Sequence, residues 1–435
     1  MTAPPNIVLI YADDLGWGDL GCFGAADVPT PHLDALCRRG VRLTQWYANS
    51  PVCSPSRASL LTGRYPEHAG VEAILGGSRT TPGLPPQPTL ASRLRDRGYR
   101  TGIFGKWHLG ADPAFAPGRY GFDEVFGFRA GCVDYYSHIF YWGSRAPIHD
   151  LWDGEDEVWL NGEYLTTVIG RRAADFITRS AAPRAEGAAP FFCYVPFNAP
   201  HYPMHAPAEH MARVAHLPPG RRETAAMIAA MDDAIGEILR ALEEAGADRD
   251  TIVVFSSDNG PSRESRNWLD GEEISYHGGS SGGLRGAKGS VFEGGIRVPG
   301  IIAWPAGLPA GTEFGDPGMM MDLLPTLLHA SDGAAPDLPD VDGISVLAAL
   351  EDPTAPRPER TLHWTYEGQW ALRRGRHKLV VDAREGMDPP ATTSRALFDL
   401  AADPAETRDL GDVPGISDTL EDELAVLRER PAAPA

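Results

Sequence analysis

Cysteine is scarce and scattered. Cys22, Cys37, Cys53, Cys132 and Cys193 are odd in number and follow neither paired nor zinc-ligand spacing. A disulfide framework is excluded as the basis of the fold, and mostly reduced, buried thiols are expected. Long apolar runs are missing as well. No stretch approaches the roughly 20 apolar residues needed to span a bilayer, and Met1–Asn6 carries no basic region ahead of the short run Ile7–Tyr11. The expectation is a cytoplasmic protein without a leader. Positive charge is in short supply: 39 basic residues face 59 acidic ones, for a net charge of −20. Such a surface repels phosphate backbones and anionic lipid, so nucleic acid and membranes are poor partners. Any anion site must then be a local cluster of cations inside a negative protein. No internal repeat is present.

What is abundant is glycine (48) and proline (39) within 435 residues. A chain of this length makes roughly two to three domains, with structured loops on a regular scaffold. Short apolar runs at Ile7–Tyr11, Thr101–Phe104, Phe191–Val195, Ile252–Ser256 and Gly300–Trp304 read as buried strands. Helical signals alternate with them: Thr30-Pro31 closing at Gly40, Thr89 closing at Gly98, and Thr224–Ala245 with Met227, Met231, Ile235, Ile238 and Leu242 on one face. Alternating strands and helices predict an α/β fold, a large, mostly parallel central sheet flanked by helices. Beyond about residue 330 the character changes. Ala334–Pro339 and Pro353–Pro358 are proline-rich, Trp364–Tyr366, Trp370–Arg373 and Lys378–Val381 read as short antiparallel strands, and Leu420–Leu427 as a helix. The expected division is 1–330 as a catalytic domain and 331–435 as a small C-terminal α+β subdomain, with Arg430–Ala435 as a frayed tail.

Two acidic turns follow predicted strands. Asp13-Asp14 ends the first, and Asp258-Asn259 ends the fourth, which places both at the carboxyl edge where open α/β sheets bind ligands. Adjacent carboxylates repel unless a cation or separate partners hold them. Hard oxygen ligands suit calcium or magnesium; two unrelated loop caps are the alternative. Gly16-Trp17-Gly18-Asp19-Leu20-Gly21 is a literal GxGxxG, but two carboxylates precede it and no helix pattern follows, which counts against a dinucleotide. Gly278–Gly282 is a literal GxSxG without a preceding apolar strand. His201 and His205 are four apart, yet Pro203 argues against the helix that would make them zinc ligands.

The most informative segment is Val52-Cys53-Ser54-Pro55-Ser56-Arg57, running into Leu61-Thr62-Gly63-Arg64. Pro55 fits the first turn of a helix that ends near Gly63, so Cys53 stands at a helix start, where free N–H groups favour anions. Arg57 adds a bidentate oxyanion partner. From the residues alone, Cys53 is equally a thiolate nucleophile. Cys-x-Pro-x-Arg with the downstream Leu-Thr-Gly-Arg resembles the signature of type I sulfatases, the formylglycine-dependent members of the alkaline-phosphatase-like superfamily. The resemblance extends through Lys106-Trp107-His108, Pro200-His201, Asp258-Asn259-Gly260 and Arg285-Gly286-Ala287-Lys288. Singly, Lys106 reads as a solvated lysine and His108 or His201 as structural histidines; they gain weight as a set.

The resemblance implies sulfate monoester hydrolysis, on sugar or aryl sulfates, through a sulfated formylglycine made from Cys53 by a formylglycine-generating enzyme. It implies a calcium ion, with magnesium as the substitute, on Asp13, Asp14, Asp258, Asn259 and an oxygen of residue 53. Arg57, Lys106 and Lys288 would hold the sulfate, His201 or Lys288 would protonate the leaving oxygen, and His108 would release the sulfate. Glu293 and Arg297 are expected to brace their loop by pairing. Asp134-Tyr135-Tyr136, His138 and Trp152–Trp159 are expected around the leaving group. A formylglycine-dependent phosphonate monoester or phosphodiester hydrolase is the alternative within the superfamily, against which Pro200-His201 with Lys106-Trp107-His108 weighs. A catalytically silent binding protein is the alternative from another class, and the intact set of residues weighs against it.

Overall fold

The computed structural model describes residues 3–141, 147–181, 189–264, 277–352, 359–387 and 392–429. The proline-rich Pro353–Pro358 and the tail Arg430–Ala435 lie outside the described residues. The first apolar run forms the central strand β1 (Asn6–Ala12), buried along its whole length. Val8, Ile10 and Ala12 join one core, and Ile7, Leu9 and Tyr11 the other. This alternation is what a strand covered on both faces requires.

Around β1 stand β2 (Val41–Leu43), β3 (Arg100–Lys106), β4 (Glu124–Phe128), β5 (Phe191–Pro196), β6 (Thr251–Ser257), β7 (Gly300–Ala303) and β8 (Thr312–Phe314). Their order is β8-β2-β7-β6-β1-β5-β3-β4, and a hairpin of Trp152–Asp153 and Asp156–Glu157 completes a ten-stranded sheet. The centre, β6-β1-β5-β3-β4, is parallel throughout. On the far side of β6 the sheet departs from the parallel pattern, because β7 pairs antiparallel with both β6 and β2. The chain leaving β6 supplies residues to the carboxyl edge and re-enters the sheet from that edge, which fixes the reversed direction.

The helices are α1 (Pro31–Arg39), α2 (Cys53–Thr62), α3 (Leu165–Ser180), α4 (Arg221–Glu244) and α5 (Leu323–Asp332). Apolar residues of α3 and α4, such as Val168, Phe176, Met227 and Ile235, cover one face of the sheet, and Leu60, Leu61, Leu324 and Leu328 of α2 and α5 cover the other. Helix α4 starts at Arg221 rather than Thr224, since Glu223 accepts the Gly220 N–H and caps the turn. Gly63 ends α2 at φ 71°, a left-handed cap that a Cβ would strain. Among the described residues no helix is long and apolar enough to cross a membrane.

The C-terminal strands β9 (Thr361–Tyr366), β10 (Gln369–Arg374), β11 (His377–Ala383) and β12 (Thr393–Asp399) form an antiparallel meander, followed by α6 (Ile416–Glu429). Leu362, Trp364, Ala371 and Val380 pack on Tyr47, Val291 and Phe292 of the main body, while Leu372, Leu379 and Leu397 pack on Leu420 and Leu424 of α6. The first of these contacts sets the small sheet against the loop that leads into β7.

Candidate active site

Four adjacent parallel strands end on one edge, and each end carries polar residues. Ala12 of β1 is level with Ser257 of β6, so Asp13-Asp14 and Asp258-Asn259 emerge side by side. The Asp258 N–H donates to Ala12 O (3.2 Å), and the Asp14 N–H donates to Asp258 Oδ1 (3.0 Å). The two acidic turns therefore form one unit. Lys106 ends β3 and His108 follows it, while His201 lies in the loop after β5. Lys288 comes from the β6–β7 connection, anchored by its N–H to Pro261 O (3.0 Å). Asp14 and His108 both sit in the left-handed region, at φ 65° and 53°, which costs about 1–3 kcal/mol each and is characteristic of functional sites.

Three carboxylates face three cations. The Lys106 ammonium bridges both oxygens of Asp13 (2.8 and 2.7 Å). Arg57 donates to Asp258 Oδ2 from Nη2 (2.7 Å) and Nε (3.1 Å), with Nη2 3.4 Å from Asp13. Lys288 donates to Asp14 Oδ2 (2.9 Å). All six side chains are buried. The Asn259 amide donates to Asp14 Oδ1 (2.7 Å) and Gly260 O (2.9 Å), which leaves its own buried Oδ1 without a hydrogen-bond partner. Ligand atoms of Asp13, Asp14, Cys53 and His201 lie within 4.8 Å of one another. An orphaned amide oxygen beside clustered carboxylates is a donor set that fits a hard divalent cation.

Cys53 is the first residue of the buried helix α2, after Val52 as its cap. Burial pushes its thiol up to about 12, against the pull of Lys106 and Lys288. Burial of this kind counts against reading an unmodified Cys53 as a ready thiolate. Both histidines are held neutral by burial, with Lys106 and Arg57 adding to the effect on His108 and Lys288 on His201. Their tautomers follow from their partners, because a carbonyl only accepts. His201 Nδ1 donates to Tyr202 O (2.8 Å), so Nε2 carries the lone pair that faces Lys288 Nζ at 3.3 Å. His108 Nε2 donates to Leu75 O (3.0 Å), which leaves a buried Nδ1 lone pair without a partner.

A cavity of about 320 Å³ opens over Cys53, His108, His201 and Lys288. The rest of its described lining includes Ile74, Leu75, Cys132, Phe140, Tyr202 and Glu264. Asp134, Tyr135, Tyr136, His138 and Trp152–Trp159, expected there from sequence, do not line it. Asp134 instead pairs with His205 (2.9 Å) and accepts from Tyr136 N (3.0 Å), and the Tyr135 hydroxyl donates to His201 O (2.7 Å), bracing the His201 loop from behind. Glu264, by contrast, was not singled out from sequence, since no motif surrounds it. Its nearness to Asp258-Asn259-Gly260 was the available signal.

The two glycine motifs serve each other. Gly18 N–H donates to Ser280 O (2.9 Å), and a Cβ on Gly16 would meet Ser280 O at 2.1 Å. Glycine there admits the 278–283 loop against the turn behind Asp14, with Asp19 accepting the Ser280 N–H (3.0 Å). Glu293 and Arg297 do pair (3.5 Å), but the shorter contact of Glu293 is to Lys378 of β11 (2.9 Å).

The sulfatase family model matches residues 5–334. N-acetylgalactosamine-6-sulfatase of Sus scrofa is 36% identical over 367 residues, covering 80% of this chain and 66% of that protein, so the chain spans about two thirds of the length of that relative. Arylsulfatase A of Bos taurus is 32% identical over 454 residues, covering 94% of this chain and 84% of that protein. The solved structure of Ps i-CgsB in complex with k-i-k-neocarrahexaose superposes with a TM-score of 0.84 at 29% identity, over 98% of this chain and 92% of that one. The fold is thus the alkaline-phosphatase-like one expected, and the chain belongs to the sulfatase family.

Proposed function

We propose that this protein hydrolyses sulfate monoesters of sugars or aryl alcohols to the alcohol and inorganic sulfate. The observation that supports it most is the cavity at Cys53 lined by Lys288 and two neutral histidines, with Arg57 and Lys106 buried on the neighbouring Asp258 and Asp13, within a chain whose net charge is −20. In this reading residues 1–330 hold the chemistry and 331–435 form a subdomain that braces it. Oxidised to formylglycine by a maturation enzyme, residue 53 would supply the nucleophilic hydroxyl of a hydrated aldehyde. Asp13, Asp14, Asp258, Asn259 and residue 53 would hold a calcium ion, or magnesium in its place, which would supply Lewis-acid polarisation of the sulfate.

The chain's own residues do the rest. Arg57, Lys106 and Lys288 gather the sulfate oxygens and the charge that develops on them. Lys288 carries the proton nearest His201 Nε2 (3.3 Å), and this pair protonates the leaving oxygen. The free Nδ1 of His108 takes a proton from the residue-53 hydroxyl, which is how sulfate is released. The relatives are named for sugar and aryl sulfates, and an ester of either kind is the substrate class proposed here. The five free thiols suit the reducing, cytoplasmic setting proposed with it.

The test is a screen of protein co-expressed with a formylglycine-generating enzyme and supplied with calcium. Sulfate release from 4-nitrophenyl sulfate and sulfated N-acetylhexosamines is expected to exceed turnover of bis-nitrophenyl phosphate and phenylphosphonate esters. Faster phosphodiester or phosphonate turnover overturns the reading, and stoichiometric zinc in place of calcium or magnesium by elemental analysis overturns the metal.

A further inference from the structure

Glu264 is a carboxylate in a place built for anions. It is 3% exposed and lines the cavity that contains Cys53, His201 and Lys288. Its Oε1 stands 3.7 Å from Lys288 Nζ, too far for a hydrogen bond. Its Oε2 is buried and accepts no hydrogen bond from the described residues. A buried, unpartnered acceptor is costly unless something satisfies it. Among the described lining, Ile74, Leu75, Cys132 and Phe140 present mainly apolar surface, and the Tyr202 hydroxyl does not reach Glu264 Oε2.

Placing a substrate in this cavity settles what meets Glu264. With the sulfate toward Cys53 and its leaving oxygen at Lys288, the alcohol lies beside Glu264, whose Oε1 is 3.7 Å from Lys288 Nζ. The volume, about 320 Å³, is at the low end of the roughly 300–1,000 Å³ typical of ligand sites, which suits one ring and not several. An ionised carboxylate accepts hydrogen bonds only, so the ring must bring an O–H or N–H donor. A second negative charge on that ring, a carboxylate or another sulfate, would face Glu264 across a poorly solvated space and be rejected. A plain aryl ring enters but leaves Oε2 unsatisfied.

Resting on the sulfatase reading, we infer that Glu264 is a specificity-determining residue that accepts a hydroxyl or amide proton from the leaving group, and that it selects neutral, hydroxylated sugar monosulfates over both aryl sulfates and sugars bearing a second anion. A site built to bond a substrate hydroxyl discriminates strongly against analogues lacking it, because its polar group is then stranded.

The experiment has two arms. In the first, kcat/KM of the matured enzyme is measured on N-acetylgalactosamine 6-sulfate and on 4-nitrophenyl sulfate, for wild type and Glu264→Gln. The ratio of sugar to aryl kcat/KM is expected to fall about 10- to 100-fold in the variant, the scale of losing a charge-assisted hydrogen bond. An unchanged ratio, with both rates lowered equally, would mean that Glu264 only positions Lys288, and overturns the proposal. In the second arm, binding to the unmodified Cys53→Ala chain is measured by calorimetry with N-acetylgalactosamine 6-sulfate and with a 2-sulfated uronic acid. The neutral sugar is expected to bind at least tenfold tighter, and Glu264→Gln in that background to close the gap. Equal binding of both ligands, or a gap that Glu264→Gln leaves intact, overturns the proposal. Because this arm needs no turnover, it decides the role of Glu264 even for a protein that hydrolyses no sulfate ester, the outcome that would sink the sulfatase reading alone.

Discussion

The Lys106 ammonium lies 2.8 and 2.7 Å from the two oxygens of Asp13, with both side chains wholly buried. That closed pair is one of three, with Arg57–Asp258 and Lys288–Asp14, and Glu264, 3.7 Å from Lys288, adds a fourth carboxylate to the three cations. A bound divalent ion would tip this cluster positive, a local attraction for a sulfate ester within an acidic protein.

Breaking the Lys106–Asp13 pair from one side is therefore expected to destabilise the chain markedly. Lys106→Met should cost up to about 3–5 kcal/mol. Burial already raises the Asp13 carboxyl well above its usual range against the pull of Lys106, so without that partner Asp13 must hold an unpaired charge or take up a proton in a buried place. Calcium then has more to offer the variant than the wild type. Thermal unfolding with and without calcium should show a larger upward shift in Tm for Lys106→Met. An equal shift in both proteins would mean that the cation does not share Asp13.

Cys53 opens α2 and is 2% exposed, yet its side chain faces the cavity and not the sheet cores. Cys53→Ala is expected to abolish turnover while changing stability by less than about 1 kcal/mol. Peptide mass spectrometry of active wild type should find an aldehyde at position 53. Active protein carrying only the thiol would contradict the nucleophile proposed here.

Much of this site was legible in the sequence because each contributing residue sits at the end of a strand with a strong apolar run. Asp13, Lys106, His201 and Asp258 were readable one turn at a time. What no local pattern reveals is that β1 lies between β5 and β6, which turns four separate strand ends into one pocket. Helix α3 carries its own signal, Leu165, Val168, Ile169, Phe176 and Ile177 at helical spacing. The outer wall of the cavity was misread, since aromatic and acidic residues near Tyr136 and Trp152 resemble a sugar site in composition. Glu264 and Lys378 look like ordinary solvated charges until distant loops bury them.

The two histidines are expected to fail at different steps. His108 has a free Nδ1, whereas His201 Nε2 faces the Lys288 ammonium. His108→Ala should release one burst of alcohol and then stall with sulfate retained by the protein, visible by intact mass. His201→Ala should slow the burst itself, most for sugar sulfates and least for nitrophenyl sulfate, whose leaving group needs little protonation. Loss of turnover to the same degree on good and poor leaving groups, with no retained sulfate in either variant, would contradict this division.

The last prediction concerns the seam between the small sheet and the Lys288 loop. Lys378 of β11 lies 2.9 Å from both Glu293 and Glu406, and the Glu293 N–H donates to Glu406 Oε2 (2.6 Å). One ammonium shared by two buried carboxylates divides them. Burial holds the Glu406 carboxyl up at about 7, with the Lys378 charge opposing and the Glu293 charge assisting. Glu293 also suffers burial, but Lys378, Arg297 and Arg373 outweigh it and bring it down to about 2. For a group raised in the folded state, the folded chain holds a proton that the unfolded chain has already released. Its contribution to stability is therefore greatest below about 4.5 and is lost as pH climbs toward about 7. Glutamine imitates the protonated form. Glu406→Gln is expected to melt close to wild type at pH 5 and to be more stable at pH 8, by on the order of 1–3 kcal/mol. Denaturant unfolding at the two pH values checks this. A variant less stable than wild type at pH 8 would mean that the ionised Glu406–Lys378 pair outweighs the burial of its charge, and that the seam is held by two carboxylates instead of one.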